Sequence, residues 1–126
     1  MAEYKGILNP VPKNRGGYEV NYSTTEHEIG TWIDGSVLYE KTISCGALPN
    51  TSTKTISHGI TGLKQVLCGD GMAMKTGAFK PIPYMWNSIN SVIAFEFTDQ
   101  YIYINTTGDY SSYTESYVTL RYTKTS

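Results

Sequence analysis

The stretch Ile29-Gly30-Thr31-Trp32-Ile33-Asp34-Gly35-Ser36-Val37-Leu38-Tyr39-Glu40-Lys41-Thr42-Ile43 decides how this chain is read. β-Branched and aromatic side chains fill both halves. They suit a pleated surface and lose rotamer freedom in a helix. Asp34-Gly35 sits between the halves, and Asp-Gly between two such runs is the strongest short-range hairpin signal. A two-residue loop would set Ile33 opposite Ser36, Trp32 opposite Val37, Gly30 opposite Tyr39 and Glu28 opposite Lys41, the last as an ion pair. Trp32 and Val37 would share one face with Tyr39 and Ile43.

Towards the N-terminus, Tyr18, Val20, Tyr22 and Thr24 alternate with Glu19, Asn21 and Ser23, which predicts a first strand. Before it, Asn9-Pro10-Val11-Pro12 and Gly16-Gly17 make residues 1–17 an extended arm or linker. Towards the C-terminus, Gly46 to Thr53 reads as a turn region. Residues 54–58 and 63–68 read as strands around a Gly59–Gly62 turn, although the periodicity of Leu63-Lys64-Gln65-Val66-Leu67 fits a helical turn as well as a strand, and Gly69-Asp70-Gly71 ends the second. Gly71 to Asn90 then reads as one long irregular stretch holding Pro81, Pro83, Tyr84 and Trp86. Loops of that length are uncommon in small domains and often carry function. Ser91-Val92-Ile93-Ala94-Phe95-Glu96-Phe97 is a strand, Thr98-Asp99-Gln100 turns it, and Tyr101-Ile102-Tyr103-Ile104-Asn105 returns. A polar loop, Thr106 to Ser112, leads to a long final strand, Tyr113 to Tyr122. Seven or eight short strands with regular turns predict an all-β chain, a single β-sandwich or jelly-roll-like domain over residues 18–126 behind the arm.

Composition agrees. The 126 residues fit one domain. Eleven Tyr, three Phe and two Trp stand against only 17% charged residues, and twelve Gly and five Pro supply turns. A formal net charge of -1 argues against a strongly basic nucleic-acid binder and a polybasic membrane-surface protein. No apolar run approaches the roughly 20 residues of a membrane helix, so no membrane insertion is expected. Met1-Ala2-Glu3-Tyr4-Lys5 is not followed by an apolar stretch, so synthesis in the cytoplasm without a signal peptide is expected. Cys45 and Cys68 could form one disulfide, but their spacing matches no zinc or redox motif. The reading taken is two reduced cysteines acting as small buried hydrophobes.

Catalytic chemistry finds little support. No Gly-x-Ser-x-Gly elbow exists, and His27 and His58, the only histidines, lie near no nucleophile motif. Glu26-His27-Glu28 on a strand would point its carboxylates away from its imidazole. His58 reads as a hydrogen-bonded surface or interface residue. Glu96, Asp99, Asp109 and Glu115 single out no glycosidase pair. No cofactor, no metal and no enzymatic activity are therefore expected. Binding remains. Pro81-Ile82-Pro83-Tyr84-Met85-Trp86 and Asp109-Tyr110-Ser111-Ser112-Tyr113 join aromatic rings to small polar groups, a combination that suits sugars. Tyr84, Trp86, Asp109, Tyr110 and Tyr113 are the candidate ligand-binding residues. The alternative is that these rings cover the end of the core or fill a subunit interface.

The segment Tyr22-Ser23-Thr24-Thr25-Glu26-His27-Glu28-Ile29-Gly30-Thr31-Trp32-Ile33-Asp34-Gly35, with Leu38-Tyr39-Glu40-Lys41-Thr42-Ile43 after it, resembles the C-terminal domains of tail-fibre and receptor-binding proteins of phages and prophages of gut and Gram-positive bacteria. Ile82-Pro83-Tyr84, Asp109-Tyr110-Ser111-Ser112-Tyr113 and Tyr117-Val118-Thr119-Leu120-Arg121-Tyr122-Thr123-Lys124-Thr125 add to the likeness, which spans roughly residues 20–125 with a poorly matched middle. The resemblance implies a homotrimeric virion domain at a phage tail. It would attach the particle to a bacterial surface, through a cell-wall or capsular saccharide, without performing chemistry. The alternative within the same class is a structural virion protein, a fibre tip or decoration domain, with no ligand of its own. The family pattern supplies no ligand contacts, so no binding residue is carried over from it.

Overall fold

The computed structural model describes residues 22–125. The expected arm at 1–17 and residues 18–21 of the expected first strand lie outside these. Tyr22, Ser23 and Thr24, the described remainder of that strand, are not in a strand. Nine strands follow: β1 His27–Thr31, β2 Val37–Ser44, β3 Thr53–Ser57, β4 Leu63–Lys75, β5 Ala78–Ile82, β6 Tyr84–Met85, β7 Val92–Phe97, β8 Tyr101–Thr106 and β9 Glu115–Lys124. They form two antiparallel sheets, β1-β2-β9-β4-β5 and β3-β8-β7-β6, so the chain is an all-β sandwich.

β9 organises the five-stranded sheet, because its alternation is long enough to serve both neighbours. Val118 opposes Ile43 of β2 on one side and Gly71 of β4 on the other. Its even-numbered side chains Val118, Leu120 and Tyr122 are fully buried. They meet Ile93 of β7 and Ile102 and Ile104 of β8, which alternate in the same way on the facing sheet.

The first hairpin forms, with a different loop. Trp32 C=O accepts from the Gly35 N–H at 2.9 Å, and the Trp32 N–H donates to Ser36 C=O at 2.8 Å. Ile33, Asp34 and Gly35 therefore make a three-residue loop, in which Gly35 takes φ +90° and Asp34 Oδ1 accepts from the Ser36 N–H. Thr31 then faces Val37 and Gly30 faces Leu38. A bulge follows, after which Glu28 faces Tyr39. The expected Glu28–Lys41 pair does not form. Lys41 Nζ instead donates to His58 C=O at 2.8 Å. One added loop residue and one bulge are enough to move every partner.

The larger correction concerns residues 69–90. Gly69-Asp70-Gly71 does not end β4, which runs on to Lys75 and folds back through Thr76-Gly77 into β5. The long irregular loop is thus two strands of the main sheet, a switch to the second sheet at Pro83, and a shorter loop after Met85. Gly71 is a strand glycine because Tyr117 C=O lies where its Cβ would stand, 2.2 Å away.

His58 is buried, not at the surface. Its Nε2 faces Thr98 C=O at 2.9 Å and its Nδ1 faces the Ile60 N–H at 3.2 Å. Those partners assign a neutral ring, donor at Nε2 and acceptor at Nδ1. It ties the β3–β4 crossing to the β7–β8 turn.

The two cysteines differ. Both are free, with Cys45 buried and Cys68 exposed on the outward face of β4, so only Cys45 is the small buried hydrophobe expected. Burial pushes the Cys45 thiol up to about 11. Cys68 is therefore expected to react with a disulfide reagent at pH 8 at least about a hundredfold faster than Cys45. One thiol should titrate in the native protein and two after unfolding; two fast thiols would contradict this burial.

The segment before β1 is held by charge. Glu26 Oε1 accepts from the buried Tyr122 hydroxyl at 2.6 Å, and Glu26 Oε2 pairs with Lys124 Nζ at 2.9 Å. Burial alone would raise the Glu26 pKa, but these two bonds outweigh it and hold the carboxyl below its ordinary value of 4.5. A lowered folded-state pKa means that the stabilisation is complete above 4.5 and is lost as pH falls below it. The wild type should lose more stability than Glu26→Gln between pH 6 and pH 3 in urea titrations. Equal losses would remove Glu26 as the acid-sensitive clamp.

Candidate functional site

Antiparallel pairing decides which loops meet. Glu115, at the start of β9, opposes Met74 near the end of β4. Thr53 at the start of β3 opposes Asn105 near the end of β8, and Met85 at the end of β6 opposes Val92 at the start of β7. The connections after β2, β4, β6 and β8 therefore gather at one end of the sandwich.

Backbone bonds stitch them together there. Thr107 N–H donates to Val92 C=O at 3.1 Å, and the Val92 N–H donates to Thr107 Oγ1 at 3.1 Å. Thr51 N–H reaches Gly108 C=O at 2.9 Å, and Tyr110 N–H reaches Pro49 C=O at 3.2 Å. The two loops selected from sequence are thus neighbours, and the 46–52 loop braces one of them. Loops carried on a rigid sandwich end are a common place for recognition.

The five candidate residues fall into three groups. Tyr84, Tyr110 and Tyr113 come together. Tyr110 stands edge-on to Tyr84 with centroids 6.5 Å apart and tilts against Tyr113 at 6.1 Å. Tyr113 is buried and belongs to the core, while Tyr84 and Tyr110 are half-buried against it. Trp86 shares none of these ring contacts. It is 69% exposed on the loop after β6, with Met85 also at 69% and Ile89 at 80%. Asp109 is spent locally, since its Oδ1 accepts from the Ser111 N–H at 3.0 Å and the Ser111 hydroxyl at 2.6 Å. Those bonds hold its carboxyl below the ordinary range.

Two lysines join the tyrosines. Lys80 Nζ lies 4.3 Å from the Tyr84 ring centroid and donates to the Tyr84 hydroxyl at 3.1 Å. That bond raises the Lys80 pKa, against the opposing effect of burial. Lys75 Nζ sits 4.9 Å from the Tyr113 centroid, and Lys80 Nζ sits 5.8 Å from the same ring. Lys75 opposes Ala78 and Lys80 opposes Ala73, so both project from the core-facing side of the β4–β5 hairpin, towards its Thr76-Gly77 turn.

A second concave feature has no counterpart in the sequence reading. A groove of about 480 Å³ runs over the outward face of the five-stranded sheet, between Tyr22, Met72, Asp70, Tyr117 and Thr119. Its floor includes a bond between the Thr42 and Thr119 hydroxyls at 2.8 Å. Beside it, Arg121 Nε donates to Glu40 Oε2 at 2.8 Å, with Glu40 only 4% exposed. This face exists because β4 continues through Gly69-Asp70-Gly71, whose glycines predict a turn.

Among the described residues, no three His, Cys, Asp or Glu side chains gather as they would around a metal ion. Glu26, Glu40, Asp34 and Asp109 are each hydrogen-bonded to a neighbour. No helix of the described chain is long and apolar enough to cross a membrane. Comparison with known proteins finds no matching family model, no matching curated protein and no matching solved structure.

Proposed function

We propose that this chain is a non-enzymatic attachment domain of the phage tail-fibre or receptor-binding type, which binds a bacterial surface saccharide through the Trp86 end of the sandwich. The observation that carries this reading is the loop after β6. It holds Trp86 and Ile89 in water at 69% and 80% exposure, next to Met85 at the end of β6, also at 69%, and beside a loop of small polar residues. Neighbouring large apolar side chains left in water mark a contact surface more often than they mark chance. A Trp ring offers a flat apolar face for the C–H face of a sugar, and Ser111, Ser112 and Asn90 offer hydrogen bonds at its edge.

Such a site is weak in one copy. Three copies presented together strengthen it through effective concentration, so the reading includes a homotrimer located in the virion. The outward face of the five-stranded sheet supports self-association. Met72 and Phe79, at 40% and 69% exposure, lie on β4 and β5 there, and Tyr117 lines the groove beside them. The same apolar face also favours the second reading, a structural virion domain whose contacts are all with protein.

Light scattering and whole-cell binding separate the two. The attachment reading expects a solution mass of about three times 14.0 kDa, binding to some strains in a panel of gut and Gram-positive bacteria, and no release of sugar from them. A trimer that binds no cells favours the structural reading. A stable monomer at micromolar concentration removes the trimer, and sugar release would bring back an enzyme.

A further inference from the structure

We propose that the saccharide is anionic, and that its carboxylate or phosphate group is received by Lys75 and Lys80 beside the Tyr84–Tyr110–Tyr113 cluster. This inference rests on the attachment reading above and names the chemical class of its ligand.

Every other described Lys and Arg has a carboxylate or carbonyl partner. Arg121 pairs with Glu40 at 2.8 Å, Lys124 with Glu26 at 2.9 Å and Lys64 with Asp34 at 3.9 Å. Lys41 donates to His58 C=O and Lys54 to Ala47 C=O, each at 2.8 Å. Among the described residues, Lys75 and Lys80 alone have neither a carboxylate nor a carbonyl partner. Their neighbours are ring faces and one phenol hydroxyl.

Both ammonium groups lie within 6 Å of the Tyr113 centroid, so like charges share one small region. Asp109 and Glu115, the carboxylates that flank Tyr113 in sequence, hold other partners. Asp109 is bonded to Ser111, and Glu115 accepts from the Tyr117 hydroxyl at 3.3 Å. An anion arriving beside the Tyr113 ring takes charge-assisted hydrogen bonds from both. The tyrosine rings already engage both ammonium groups, which lowers the entropy lost on binding. Lys75 is exposed and Lys80 half-buried, so the ammonium groups stand at the surface of the same loop-bearing end that carries Trp86. A neutral sugar would stack on Trp86 and leave these two charges unused.

The test uses surface polysaccharide extracted from a strain that the full-length protein binds. It compares the native material with a carboxyl-reduced preparation and with one stripped of phosphodiesters by hydrogen fluoride. Binding is expected to fall on the order of tenfold or more in one of the two preparations, which also tells a uronate from a phosphate. The same fall is expected for Lys75→Gln/Lys80→Gln with native polysaccharide, and Lys75→Arg/Lys80→Arg should restore it. Raising salt from 0.05 to 0.5 M should weaken the wild type and leave the double Gln variant nearly unchanged. Near-UV circular dichroism and thermal melting confirm that each variant is folded.

Equal binding of all three preparations overturns the inference and leaves saccharide attachment standing. Full binding by a folded double Gln variant does the same. Binding to no strain and no polysaccharide overturns the attachment reading, and this inference with it.

Discussion

Gly71→Ala is expected to cost about 3 kcal/mol or more of folding stability, lowering the melting temperature by roughly 10 °C or more. A Cβ at this position would stand 2.2 Å from Tyr117 C=O and 3.1 Å from Val118 Cγ2. The first neighbour is backbone, and it cannot rotate away. Relief requires β4 and β9 to separate around the Val118–Gly71 pair. That pair lies at the centre of the five-stranded sheet, and Val118 is fully buried on the same strand as Leu120 and Tyr122. Small changes are therefore passed directly into the core. Urea and thermal unfolding measure the effect. A loss under about 1 kcal/mol would mean that β4 does not cross β9 as closely as described.

Trp86→Ala is expected to have the larger effect on function and almost none on stability. The side chain is mostly in water, so its removal should change folding by no more than about 0.5 kcal/mol. Binding is another matter. Losing a central aromatic contact costs roughly 2 kcal/mol per site, or about thirtyfold. In a trimer engaging a cell surface these losses multiply, and attachment should fall by about a thousandfold or more. The apparent affinity of labelled protein for intact bacteria, read beside the solution mass, checks this. Unchanged attachment by a folded trimer would take Trp86 out of the site.

The last third of the chain was legible because its signals are local. Residues 92–97 and 101–106 alternate cleanly around Thr98-Asp99-Gln100, and the structure has strands there. The final strand was also visible, although it begins at Glu115, two residues beyond the expected Tyr113. Asp34-Gly35 announced a hairpin without revealing its loop length, since a glycine with positive φ serves a two-residue and a three-residue loop equally well. Gly69-Asp70-Gly71 misled for a different reason. Glycine is a turn signal when its role is backbone freedom, but Gly71 answers a long-range demand for space beside Tyr117, which no local pattern carries.

The site divides along the same line. The two aromatic loops were visible as composition, and their adjacency was not, because Val92 and Thr107 meet only through the sheet that joins them. Lys75 and Lys80 lie inside a stretch whose glycines and prolines predict an irregular loop. Only the register of the β4–β5 hairpin places them on one face, above Tyr113. The long-range bonds of Glu26 to Tyr122 and Lys124 were equally invisible in a linear reading.

Under the proposed function, this sandwich grips a saccharide and leaves it intact. Competition tests it most directly: labelled protein is bound to intact bacteria, soluble polysaccharide purified from the same strain is added, and the polysaccharide is then recovered and sized. The polysaccharide is expected to displace the protein and return at its original chain length. Displacement failing while protease treatment of the cells abolishes binding would contradict it, as would recovery of shortened chains.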